Sequence, residues 1–139
     1  MPEASEDPKE FVRRYLQEVF SEGKVDDLGE FIAGEAFTVH VKELLTRWRT
    51  AFPDLQIEVR GVLVDGDRVV TEERMTGTHT GPYESPWLGT VPPTGRSFTW
   101  DRIAIRDLAD GRFLDGYWKG EELELFEQLG VSIRVDAEG

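Results

Sequence analysis

The chain contains no cysteine, which excludes disulfides, thiolate nucleophiles and thiolate metal ligands. Histidine is nearly as scarce. His40 and His79 are the only two, and neither sits in an acidic cluster of ligand spacing, so no metal site is expected. Positive charge is also in short supply: 16 Lys and Arg against 28 Asp and Glu leave a formal charge of −12. Phosphate binding needs a cationic footprint and an anionic membrane would repel this chain, so neither nucleic acid nor a membrane is expected as a partner. No apolar run reaches membrane-spanning length. The start "MPEASEDPKE" is acidic where a signal peptide would be apolar, and the cytoplasm is the expected location. No repeat or linker divides the 139 residues, which read as a single domain with its core at about 8–130.

What the chain does have is aromatic side chains, 11% of residues with four Trp among them. "EDPKEF" opens a helix: Asp7 caps it, Pro8 fits the first turn, and Glu10 completes a capping box. Phe11, Val12, Tyr15, Leu16, Val19 and Phe20 follow with helical spacing, and Gly23 is the stop. "VDDLGEFI" reads as a short helix, "AFTVH" as a short strand, and "VKELLTRWRTAF" as a helix ended by Pro53. From there the period is two. "LQIEVRGVLV", "RVVTEERMTGTHT", "RSFTWDRIAIRDL" and "RFLDGYWK" alternate as strands, and "EELELFEQLG" closes with a helix stopped by Gly130. Between the second and third strands, "GPYESPWLGTVPPTG" holds four Pro and three Gly in fifteen residues and is expected to be a loop. Helices first and then an antiparallel run of strands give the α+β class, with a curved sheet and N-terminal helices enclosing a cone-shaped apolar pocket.

Four stretches in order carry a resemblance: "AFPDLQIEV", "DGDRVV", "GTHTG" followed by "PPTGR", and "DGRFLDGYW" leading to "LFEQLG". Over about 8–130 the chain resembles the SnoaL-like polyketide cyclases of the nuclear transport factor two-like superfamily. The resemblance implies a cofactor-free α+β barrel, a homodimer, and a hydrophobic polyketide-like or polycyclic substrate. Its activity is then that of a cyclase or isomerase working by intramolecular aldol chemistry. That chemistry needs a group to take a proton alpha to a carbonyl, and in the cyclases an Asp does so directly after the Trp of the last strand. Counted without gaps from Gly111, Tyr117 takes the place of the Trp and Trp118 that of the Asp. A family His two places earlier is Gly116.

The missing acid directs attention elsewhere. Family members carry an aromatic where this chain has Glu73, which shares a strand face with Val69 and Met75. A carboxylate on that face would meet an apolar cavity, have its pKa raised by desolvation and serve as general acid or base. The alternative puts Glu73 on the solvent face, paired with Arg74 or Arg102. His79, in "GTHTG", is placed either to meet a substrate carbonyl or to stabilise the turn, and Asp101 either to act as a pocket acid or to pair with Arg102 or Arg106. Tyr15, His40, Trp48, Met75, Trp87, Trp100 and Trp118 are the candidate ligand-binding residues. Trp87, in "YESPWLG", reads as a lid or an oligomer contact, and Trp118 as a π-face beside a developing cation. Two further readings stand beside the cyclase: a binding protein without turnover, and an acid-catalysed ring-opening enzyme using Glu73 or Asp101.

Overall fold

The computed structural model describes residues 6–86 and 88–132. Asp7 accepts a hydrogen bond from the Lys9 amide and caps α1 (Pro8–Tyr15), with Pro8 in the first turn. Glu10 makes no bond back to the Asp7 amide and contributes only its charge to that first turn. The helix then widens into a π-helical turn, Leu16–Ser21, before Gly23 ends it at φ +76°. A 3₁₀ turn, Val25–Asp27, leads into α2 (Leu28–Phe31).

The short strand expected at "AFTVH" is not a strand. Those residues form the start of α3 (Glu35–Ala51). The reason is periodic: Val41, Leu45 and Trp48, all buried, continue a stripe that Phe37 begins, and burying one helical face outweighs the weak strand preference of Thr38 and Val39. Thr38 Oγ1 donates to the Gly34 carbonyl and ties down the first turn.

Four long strands follow: β1 (Gln56–Asp65), β2 (Arg68–Thr78), β5 (Ser97–Ala109) and β6 (Arg112–Gly120), antiparallel in the order β1-β2-β5-β6. Irregularities at Val59/Gly61 and Asp107/Leu108 bend the sheet. The Pro- and Gly-rich stretch is not wholly a loop, since β3 (Tyr83–Ser85) and β4 (Gly89–Val91) pair within it. The chain then forms α4 (Glu122–Gln128).

The core lies between the helices and one face of the sheet. Phe11, Tyr15, Phe31 and Phe113 pack there at ring-centroid distances of 5.1–5.3 Å. On β2 the inward set is Val69, Thr71, Glu73, Met75 and Gly77; on β5 it is Phe98, Trp100, Arg102, Ala104 and Arg106. Two backbone approaches hold the ends together. A Cβ at Gly81 would lie 2.0 Å from the Thr50 carbonyl oxygen, because the amides of Thr80 and Gly81 both donate to Ala51 O at the end of α3. A Cβ at Gly120 would lie 2.5 Å from Trp100, whose indole N–H donates to the Glu121 carbonyl.

Candidate active site

Between α3 and the inner face of β5 and β6 lies a cavity of about 190 Å³. Phe37, His40, Val41 and Leu44, spaced along one face of α3, form its helical wall. Tyr15 and Phe20 close it from the N-terminal helix, and Arg102, Ala104, Arg106, Gly116 and Trp118 form the sheet wall. The space exists because Ala104 and Gly116 are small. Tyr117 also borders it, but its side chain is exposed, while Trp118 on the opposite strand face is half-buried. A second space of about 160 Å³ shares His40, Leu44 and Trp118 as walls, so the Trp118 ring stands between the two.

The two arginines of the sheet wall belong to a buried cluster of three charges, with Glu73 behind them. Glu73 is fully buried and accepts from Arg102 Nε at 2.7 Å and from Arg106 at 2.9 Å; the Thr71 hydroxyl donates to it as well. Arg106 also donates to Thr71 Oγ1 at 3.0 Å. Register explains the arrangement: Glu73 lies directly opposite Arg102, and Thr71 opposite Ala104. Arg102 is enclosed by rings, with its guanidinium carbon 5.5 Å from the centroid of Phe20, 5.3 Å from Trp48 and 5.4 Å from Trp118. Arg106 lies over Tyr15 and Phe113.

This geometry corrects the expected acidity of Glu73. Burial alone would raise its pKa, but Arg102 and Arg106, with the hydrogen bonds from Thr71 and Arg106, hold it at about 2. It is an ionised counter-charge at neutral pH. Glu73 is buried as the catalytic reading required and ion-paired as the alternative required, and it is not itself in the cavity wall. Burial pushes the Tyr15 phenol up to about 12, so it stays protonated in the wall. Burial also lowers the Arg102 pKa, opposed chiefly by Glu73, yet a guanidinium remains charged.

The other candidates are dispersed. Asp101 is exposed on the outer sheet face, where Arg74 grips it at 2.8 and 3.0 Å and lowers its pKa. It does not border the cavity. His79 is buried away from the cavity, packed against Phe52. Its Nδ1 accepts from the Thr94 amide and meets the Thr94 hydroxyl, its backbone pairs with Gly95 and Arg96, and burial lowers its pKa. That is the geometry of a turn clasp. Trp48 and Trp100 are core rings standing edge-on to Trp118 at 5.7 and 5.5 Å, and Met75 is buried opposite Trp100. Tyr15, His40 and Trp118 border the cavity, His40 from an exposed position on α3. Trp87 lies outside the described residues. Among those that are described, no group of three or more His, Asp or Glu side chains gathers as a metal-ligand set.

Arg102 and Arg106 are the site residues that sequence reasoning valued only as pairing partners. The signal was the inward alternation Phe98, Trp100, Arg102, Ala104, Arg106, but Ile103 and Ile105 on the opposite face made the two sides hard to rank.

An α+β cone with a cavity between its third helix and a four-stranded sheet defines a small-molecule pocket class, and comparison with known proteins agrees. The sequence pattern of the SnoaL-like polyketide cyclases matches residues 10–129. The chain belongs to that family. Its fold is similar to TsrD from Streptomyces laurentii, with a TM-score of 0.76 and 23% identity over 89% of this chain and 95% of TsrD. IdmH from Streptomyces antibioticus gives a TM-score of 0.73 and 25% identity over 91% of this chain and all of IdmH. A SnoaL-like polyketide cyclase from Agrobacterium tumefaciens gives 0.68 and 19% over 88% and 97%. Comparison with curated proteins gave no match.

Proposed function

We propose that this protein is a cofactor-independent cyclase or isomerase that takes a hydrophobic, polyketide-like or polycyclic molecule into the cone, with Trp118 standing where the cyclases carry their acid. The observation that carries this reading is the cavity wall itself, formed by Phe37, Val41 and Leu44 with His40 on the helix side and by Trp118 and two guanidiniums on the sheet side. Proton transfer by a buried carboxylate is a poor fit, since Glu73 is held ionised near 2 and is a weak base. Shape then does most of the work: the wall folds a flexible chain so that its reacting carbons meet, and the Trp118 face shields the reacting centre from water. Ring opening by a donated carboxyl proton is disfavoured, because Asp101 points away from the cavity and Glu73 has no proton to give.

A second reading, binding without turnover, is favoured by the same absence of a free carboxylate in the wall. The two separate in one assay. The protein is incubated with a panel of linear and aromatic β-polyketo esters, and cyclised products are quantified by chromatography and mass spectrometry against a protein-free control. Faster and more selective cyclisation supports catalysis, whereas bound but unconverted substrate supports the binding reading. The homodimer belongs to the same proposal. Leu63, Val70, Ile105 and Tyr117 are successive register partners across all four long strands, an apolar row on the outer sheet face suited to a second copy.

A further inference from the structure

The charge count of the interior singles out what the cavity is built to receive. Among the described residues the buried charged groups are Glu73, Arg102 and Arg106. Two guanidiniums against one carboxylate leave a net positive charge inside a chain that is −12 overall. Arginine does not shed that charge, and an interior charge without a full complement is costly. Hydrogen bonding tells the same story. Glu73 occupies Arg102 Nε, but Nη1 and Nη2 of Arg102 have no hydrogen-bond partner among the described residues, although its side chain is only 1% exposed. The three rings around it attract a cation through their π-faces and offer no lone pair to its N–H groups. Arg106 spends Nη1 on Thr71 and Glu73, and its side chain, 7% exposed, borders the cavity. Gly116 makes that placement possible, since a Cβ there would lie 3.1 Å from Arg106 Cγ.

We propose that the cavity binds the oxyanion of an apolar small molecule, either a carboxylate or the enolate of a 1,3-dicarbonyl. Arg106 makes the first contact, and Arg102 Nη groups make the second once the half-buried Trp118 ring rotates. The hydrocarbon part lies against Phe37, Val41 and Leu44. One net charge and a space of about 190 Å³ match a monoanion better than a phosphate, which would bring a second charge. The inference rests on reading this cavity as the substrate site, and it adds the chemical class of the ligand.

Binding is measured by titration calorimetry at pH 7 with two matched pairs: 2-naphthoate against 2-naphthamide, and 4-hydroxycoumarin, an ionised enol, against 4-methoxycoumarin. At least one anion is expected to bind ten times or more tighter than its neutral mate. Preference within the first pair identifies a carboxylate site, and preference confined to the second identifies an enolate site. In a Glu73→Met/Arg102→Leu/Arg106→Met variant the whole charge cluster is replaced, so no charge is orphaned. It is expected to fold and bind both members of each pair equally. The wild-type comparison stands without the variant: equal affinity for charged and neutral probes, or binding of none of them, overturns the inference. Anion preference with no turnover of the β-polyketo panel keeps the inference and overturns the catalytic reading. Turnover without anion preference does the reverse.

Discussion

Replacing Glu73 by Gln removes one charge and almost no volume, and its cost follows from what surrounds it. The carboxylate is fully buried, with Arg102 at 2.7 Å and Arg106 at 2.9 Å. The amide leaves two guanidiniums in the interior without their counter-charge. Removing one partner of a buried ion pair costs about 3–5 kcal/mol. The pKa leads to a similar figure. Folding lowers the Glu73 carboxyl from its ordinary 4.5 to about 2, so the fold favours the ionised form. The stabilisation is complete above pH 4.5 and is lost as pH falls through 2, and it is worth on the order of 3 kcal/mol. Thermal unfolding followed by circular dichroism at pH 7 should show Glu73→Gln melting roughly 10–15 °C below wild type. Between pH 4.5 and 2 the variant should lose less stability than wild type, because its largest acid-sensitive contribution is already gone. Glu72→Gln, one residue away on the exposed face, should stay within about 0.5 kcal/mol. If Glu73→Gln unfolded within about 1 kcal/mol of wild type, the buried-triad reasoning would be wrong.

Trp118→Asp should join the two spaces that its ring separates and put a carboxylate in the cavity wall, altering both ligand affinity and product profile; unchanged values of both would remove Trp118 from the site. Gly81→Ala should destabilise by about 3 kcal/mol, because the new Cβ meets the Thr50 carbonyl and the loop must shift; a denaturant melt checks this. If the outer apolar row seats a second copy as proposed, Ile105→Arg in its middle should leave the protein monomeric in sedimentation experiments where wild type sediments as a dimer, with the melt still cooperative.

Periodicity carried the sequence reading furthest where one face is buried and the other wet. The alternation of β2 puts Val69, Thr71, Glu73 and Met75 on one side, and the fold buries all four. In β6 it separates Tyr117 from Trp118: Trp118 packs half-buried into the cavity wall, while the Tyr117 side chain is exposed. Local preference misled at 36–40, where Thr and Val imitate a strand but Phe37 and Val41 extend the buried stripe of α3. His40 consequently borders the cavity from a helix. The site's electrostatics were the least legible part. Whether Glu73 has a raised or a lowered pKa depends on Arg102 and Arg106, and their reach depends on cross-strand register, which a single strand's pattern does not encode. The room they need comes from Ala104 and Gly116, whose importance is visible only once the neighbouring strands are paired.

Filling the cavity asks whether the chemistry takes place in the cone. Ala104 is buried in the sheet wall opposite Trp118, and Ala104→Leu would occupy the space between the two arginines. Conversion of β-polyketo esters should fall at least tenfold in this variant while its melting temperature stays near that of wild type. Undiminished conversion by a folded Ala104→Leu protein would contradict this, because the chemistry would then take place somewhere other than the cone.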